Sequence, residues 1–253
     1  MTDIQGLVRP NIQKLKAYSS ARSLYTSGIL LDANENPFSV FDAPVPLNRY
    51  PDGSNKTLRA QLAAPLNLSE EQCAVGNGSD EIIDILFRIF CEPGQDNCII
   101  TSPTYGMYEV SAAINAVQVK DVPLVQNQLD VEGVLKAIDA HTKMIFICSP
   151  NNPTGDVLQR KDILRIITES NRLVVIDEAY ADFMTVPSFV SEIVKYKNLV
   201  VVRTLSKAFA MAGLRLGYGF ADAAIIALVQ KVKPPYNINV LTTHAVLEAL
   251  KKK

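Results

Sequence analysis

Residues 143–203 read KMIFICSP (143–150), NNPTG (151–155), QRKDILRIITES (159–170), RLVVIDEA (172–179), SFVSEIVKY (188–196) and NLVVVR (198–203). Three continuous apolar runs of strand length alternate here with two segments of helical spacing. A strand that is apolar on both faces belongs in a mostly parallel sheet with helices packed on either side. Towards the N-terminus the alternation continues: AVGNGSDEIIDILFRIFC (74–91) predicts a strand, a glycine turn and a helix, and NCIITS (97–102) and VQVKDVPL (117–124) predict strands. TYGMYEVSAAINA (104–116) and VEGVLKAID (131–139) predict the helices between strands. The fold class is therefore α/β, and ligands of such sheets sit outside the carboxyl ends of the strands.

The flanks are less regular. Residues 1–30 form a polar arm with one short helix candidate, IQKLKAY (12–18), that lacks the periodicity for a core of its own and so packs on something else. ILLDANENPFSV (29–40) predicts a short apolar strand entering an Asn/Pro turn, NRYPDG (48–53) a loop, and residues 55–64 a helix that Pro65 ends. After AGLRLGYGF (212–220) come two helical segments separated by KPPYNIN (233–239), and no long linker announces a domain boundary.

Composition bounds the chemistry. With 253 residues, 48% of them hydrophobic, the chain can bury a large core. A net charge of −1 with both signs interspersed leaves no footprint for nucleic acid or an anionic membrane. Cys73, Cys91, Cys98 and Cys148 show no C-x-x-C spacing, which predicts free thiols in a reducing compartment. His141 and His244 have no ligand-spaced partners, so no metal centre is expected, and each is expected at the surface or a helix end. No leader-like region opens the chain and no apolar run approaches the ~20 residues that span a bilayer. The expectation is a soluble, cytoplasmic protein.

The residue types that carry chemistry fall at the carboxyl ends of the predicted strands. RTLSKAFAMAGLRLG (203–217) places Lys207 just past a strand, flanked by Leu205, Ala208 and Phe209, neighbours that favour a poorly hydrated and therefore nucleophilic amine. Read alone, it is equally a lysine capping a strand end. Gly76–Asp80 sets glycines and Ser79 at a helix start, which suits a phosphate or an ordinary N-cap turn. Asn152 is either a turn-forming residue or a ligand donor. Asp177 ends an apolar strand and, buried, needs a cationic or N–H partner, with the Tyr180 hydroxyl three residues on. With Glu178 it also has the look of the magnesium-binding acid of a phosphate-loop ATPase, but no G-x-x-x-x-G-K-[ST] is present. One ligand uses a lysine, a carboxylate, two hydrogen-bond donors and a helix N-terminus with Ser206 and Arg215. It is pyridoxal 5′-phosphate (PLP), with its aldehyde, ring nitrogen, phenolate oxygen and phosphate.

LDANENP, NRYPDG, GNGSDE, CEPG, PTYGMY, CSPNNPTG, IDEAYADF and RTLSKAFAMAGLRLGY, together spanning about residues 30–220, resemble the fold-type-I PLP-dependent aminotransferases, and among them the histidinol-phosphate aminotransferases. The resemblance implies that Lys207 carries the cofactor and then shuttles a proton, and that Asp177 keeps the ring nitrogen protonated. It implies that Asn152 and Tyr180 bond the phenolate oxygen, that Tyr105 stacks on the ring, and that Gly78, Ser79, Asp80, Ser206 and Arg215 surround the phosphate. Tyr50 resembles a tyrosine that reaches the neighbouring subunit's cofactor, which implies a homodimer with shared sites; Tyr18 resembles an arm tyrosine near the substrate.

The implied activity is transamination between histidinol phosphate and 2-oxoglutarate, giving imidazole-acetol phosphate and glutamate, by ping-pong kinetics. Chains of this family continue into a C-terminal subdomain with an arginine for the substrate's carboxylate or phosphate, so the resemblance implies an N-terminal arm (1–30), a PLP-binding large domain (31–235) and only the start of the small domain (236–253), that is, a fragment or a shortened relative with a complete cofactor cradle and an incomplete substrate clamp. Two alternatives stay open: a related PLP enzyme, such as a phosphothreonine decarboxylase or another amino-acid aminotransferase, and a non-catalytic PLP-binding fragment.

Overall fold

The computed structural model describes residues 3–18, 28–40 and 42–251. In chain order its elements are α1 (Ile4–Leu7), α2 (Pro10–Lys14), α3 (Lys56–Ala63), β1 (Cys73–Asn77), α4 (Ser79–Phe90), β2 (Asn97–Ile100), α5 (Met107–Ile114), β3 (Gln118–Asp121), α6 (Val131–Ala137) and β4 (Thr142–Cys148). They continue with α7 (Arg160–Glu169), β5 (Leu173–Asp177), β6 (Leu199–Thr204), β7 (Leu216–Ala221), α8 (Ala223–Val232) and α9 (Val240–Leu250). The strands form one seven-stranded sheet in the order β1-β7-β6-β5-β4-β2-β3. Every pairing from β3 across to β6 is parallel, and β7 runs antiparallel to both β6 and β1.

The period of two along each strand sorts the core into two layers. Met144, Phe146, Leu173, Val175, Val200 and Val202 face a layer built with α4, α5 and α8. Ile145, Ile147, Val174, Ile176, Leu199 and Val201 face the other, built with α3, α7 and α9. The parity that turns Leu173 and Val175 toward the α4/α5 layer also governs Asp177, two residues on. The arm packs on that layer too: Ile4, Leu7, Val8 and Ile12 are buried, the Arg9 N–H donates to the Ile89 carbonyl at 3.0 Å, and Lys231 Nζ donates to the Ile12 carbonyl at 2.6 Å.

Several expectations need correction. ILLD (29–32) forms no strand and pairs with none among the described residues, and Ile29 and Leu31 are 91% and 84% exposed. The helix expected over 12–18 is helical only to Lys14, in α2, which starts at Pro10, a residue preorganised for a first helical turn; α1 precedes it outside the expected span. SFVSEIVKY contains a 3₁₀ helix, Phe189–Val194, rather than an α-helix. LGYGFA (216–221), left without assignment, is strand β7. The four cysteines are free and buried as expected. His141 is exposed, while His244 lies half-buried within α9 rather than at its end. Helix α9 packs through Val246, and Asn237, just before it, donates to Glu81 Oε2 at 2.8 Å. Among the described residues no helix is long and apolar enough to cross a membrane.

The glycines of β7 have a steric cause. A Cβ on Gly217 would overlap the backbone of Gly78 and Ser79, where the β1–α4 turn crosses the strand. Gly217→Ala is therefore expected to cost about 1–3 kcal/mol and to lower Tm by several degrees. A wild-type thermal melt would contradict this account of the crossing.

Candidate active site

A cavity opens at the carboxyl ends of β4, β5 and β6. It is lined by residues that are distant in sequence, among them Gly78, Ser79, Asp80, Tyr105, Asn152, Asp177, Tyr180, Ser206, Lys207 and Arg215. Ten of the twelve residues singled out in the sequence thus share one space. The remaining two do not line it. Tyr50 is 52% exposed and stacks on Tyr236 at 4.7 Å between ring centroids. Tyr18 is 71% exposed. Beside Tyr50, Glu35 of the ANENP segment accepts the Tyr50 N–H at 2.6 Å and an Arg49 N–H at 2.8 Å, which ties two motifs together.

The floor is Asp177, 3% exposed. Its Oδ1 accepts the Ala179 N–H at 2.9 Å, and its Oδ2 accepts the hydroxyl of Tyr108 at 2.7 Å. Burial pushes the Asp177 pKa above the ordinary carboxylate value, and these two donors oppose that shift. Its hydroxyl partner is thus Tyr108 rather than Tyr180. Tyr108 escaped notice because its place in the first turn of α5 reads as apolar core; its position three residues after Tyr105 was the available signal. Glu178, next along the chain, points elsewhere. It accepts from the Ser188 hydroxyl at 2.5 Å and the Phe189 N–H at 2.7 Å, and so pins the loop that follows Tyr180.

Lys207 lies three residues beyond the end of β6 and is exposed, with Nζ 5.4 Å from the centroid of the Tyr180 ring. The expected apolar shell is not there. Leu205 is buried beneath the loop, and Phe209 packs into the layer on the far side of the sheet, so neither shields the amine. What the fold supplies is position: the amine faces the same cavity as the buried carboxylate.

The third wall is the start of α4. Its N-cap is Gly78, at φ +76°, which offers no side-chain acceptor to the first N–H groups of the helix. Arg215, at φ +53°, accepts the Gly78 N–H on its carbonyl at 2.7 Å. Its guanidinium stands 3.8 Å from Asp80, and Asp80 also accepts the Tyr105 hydroxyl at 3.1 Å. Burial, and next the Asp80 charge, push the Tyr105 pKa up to about 12, so the ring remains a neutral donor. A Cβ on Gly78 would come within 2.7 Å of Arg215 Nη2, so the glycine leaves room for the guanidinium over the helix start. Free N–H groups, a helix dipole and a guanidinium together make a phosphate site.

On the β4 side, Asn151 does the turn-forming work: its amide donates to the Pro103 carbonyl at 2.9 Å and to Thr154 Oγ1 at 3.1 Å. The Asn152 side chain makes no hydrogen bond among the described residues and is left to the cavity. No cluster of three or more metal-ligating side chains occurs among the described residues.

Residues 26–253 match the family Aminotransferase class I and II. The chain is 50% identical over 250 residues to a histidinol-phosphate aminotransferase of Cytophaga hutchinsonii, which covers 98% of this chain and 72% of that protein. Its fold superposes on the histidinol-phosphate aminotransferase of Clostridium acetobutylicum with a TM-score of 0.72 at 31% identity, covering 81% of this chain and 62% of that one. It superposes on an L-threonine-O-3-phosphate decarboxylase from Porphyromonas gingivalis with a TM-score of 0.70 at 26% identity, covering 81% and 64%. The seven-stranded, mostly parallel sheet is the large domain of the fold-type-I enzymes. The chain belongs to the class I and II aminotransferase family, and its relatives within that family include histidinol-phosphate aminotransferases.

Proposed function

We propose that this cavity binds PLP and that the chain carries out amino transfer between histidinol phosphate and 2-oxoglutarate, a step of histidine biosynthesis in the cytoplasm. The observation that carries the reading is the convergence of Lys207, a buried Asp177, the Asn152 amide, Tyr180 and the open N-terminus of α4 with Arg215 on a single space. The donor set fits the group: a buried carboxylate for a ring N–H, an amide and a phenol for a phenolate oxygen, and a glycine-capped helix start for a phosphate. When bound, PLP supplies an aldehyde that captures an amino group and a protonated ring that withdraws electrons from the carbon bearing it.

The chain's own residues then have separate tasks. Lys207 Nζ would hold the aldehyde and, once displaced by the donor's amino group, would carry the proton taken from the donor's Cα. Asp177 holds the proton at the ring nitrogen. Asn152 and Tyr180 would donate to the phenolate oxygen, Tyr105 would cover one face of the ring, and the Ser79 and Asp80 backbone N–H groups with the Ser206 hydroxyl and the Arg215 guanidinium would hold the phosphate. The apolar, exposed side chains of Ile29, Leu31, Phe38 and Val40 support a homodimer that covers them, with Tyr50 directed to the partner's site.

The superposition on the phosphothreonine decarboxylase favours one second reading, since cofactor cradles are shared across differing substrates. Product analysis separates the two. The proposed activity consumes 2-oxoglutarate and yields glutamate in equal amount to the keto product. Release of carbon dioxide without consumption of 2-oxoglutarate would establish the decarboxylase instead.

A further inference from the structure

Tyr108 is fully buried. Its ring stacks on Phe146 at 4.9 Å and meets Tyr105 edge to face at 5.6 Å. Packing accounts for the ring, and phenylalanine would pack as well. The hydroxyl is a different matter, because a buried O–H is costly unless it is bonded, and this one is aimed at Asp177 Oδ2 at 2.7 Å. None of the roles assigned above uses it.

We infer that Tyr108 is a positioning residue for the ring-nitrogen site, its hydroxyl holding the Asp177 carboxylate ionised and fixed in orientation at the floor of the cavity. The inference rests on the PLP reading of the cavity. A carboxylate in this position has to remain charged although it is buried, and a donor to the charged form is the means of keeping it so.

The groups that face Asp177 from each side leave this task to Tyr108. From α4, Asp80 carries a like charge that opposes ionisation; from the loop after β6, Lys207 favours it. From the end of β4, Cys148 lies beside the Tyr108 hydroxyl, and burial pushes its thiol up to about 12, so it is uncharged near neutrality. Burial, and next the Asp177 charge, hold the Tyr108 hydroxyl well above its ordinary value, so it stays a neutral donor. The Ala179 N–H holds the other oxygen.

The sign of the pH effect follows. Tyr108→Phe removes a bond made to the ionised form, so Asp177 takes up a proton at higher pH than in the wild type. Protonated, it offers no charge to a ring N–H⁺, and affinity for PLP falls. The test is a PLP-binding titration of the full chain across ~pH 5 to 9, followed by visible absorbance. The variant is expected to bind about tenfold or more weakly on the acid side, with the pH at which binding is lost raised by about one unit. In an Asp177→Asn background the Tyr108→Phe substitution is expected to leave the profile unchanged, because its target no longer titrates.

Wild-type affinity and profile in Tyr108→Phe would overturn the inference while leaving the PLP reading intact. Absence of PLP binding by the wild-type chain would overturn the reading, and the inference with it. Should Tyr108→Phe fail to fold, a ring-fluorinated tyrosine at position 108 keeps the shape and makes a stronger donor. It is expected to move the profile to lower pH, and an unmoved profile would overturn the inference.

Discussion

Lys207→Ala is expected to slow amino transfer by about 10²–10⁴-fold, the contribution of a positioned proton carrier, with PLP no longer retained covalently. The fold should survive, because the side chain is exposed and nothing in either core layer rests on it. The expected signature is a wild-type thermal melt combined with loss of product formation in a single-turnover assay with amino donor. Activity within a few-fold of wild type would remove Lys207 from the chemistry and return it to the role of a strand-end lysine.

Asp177→Asn is expected to move activity and stability in opposite directions. The amide keeps the shape and can still accept from the Ala179 N–H while meeting the Tyr108 hydroxyl, but it cannot balance a ring N–H⁺. Removing one partner of a buried charge pair costs about 3–5 kcal/mol, which corresponds to a loss of roughly 10²–10⁴-fold in PLP affinity. Without PLP the carboxylate is a liability. Its folded-state pKa lies above the unfolded value of 3.8, because burial disfavours the charge. The folded chain therefore binds more protons between those two pKa values, and its stability falls as pH rises from the lower to the higher. The neutral amide escapes that loss.

The PLP-free Asn variant should accordingly melt at a higher temperature than wild type near pH 7, with the difference closing as pH falls towards the unfolded carboxylate value. Such a trade of stability for function is common at active sites. A variant that melts lower at neutral pH would contradict the reading of Asp177 as a charge held at a cost for the ligand.

The physics of each segment decides what could be read in advance. β4, β5 and β6 were legible because strands buried on both faces must be apolar at every position, and that leaves a continuous run in the sequence. The residues at their carboxyl ends were legible for the same reason, since polar groups closing apolar runs stand out. β7 was not, because two of its six residues are glycines of low strand propensity. Its need for Gly217 comes from the β1–α4 turn, some 140 residues earlier in the chain, a constraint that no local window contains.

ILLD misled for the converse reason. Its three aliphatic residues have strand character, but a strand exists only with a partner, and none lies beside it among the described residues. SFVSEIVKY has apolar spacing that suits 3₁₀ and α geometry alike over two turns. Lys207 lies past the end of β6 as its sequence position implies, but its sequence neighbours do not form an apolar shell around it. In a loop leaving a strand, adjacent side chains point to different sides, so Leu205 turns inward and the amine outward. Tyr108 was hidden by its aromatic ring, because a tyrosine on an apolar helix face reads as core until the fold shows which polar group its hydroxyl meets.

The claim on which the functional account depends is that Lys207 is the residue PLP engages. The direct measurement is borohydride reduction of the 253-residue chain incubated with PLP, with the visible absorbance recorded before and after, followed by peptide mapping of the modified lysine. The account predicts an absorbance band that reduction removes and a single pyridoxyl modification, on Lys207. A folded chain that acquires no band, or whose modification maps to other lysines, would contradict it.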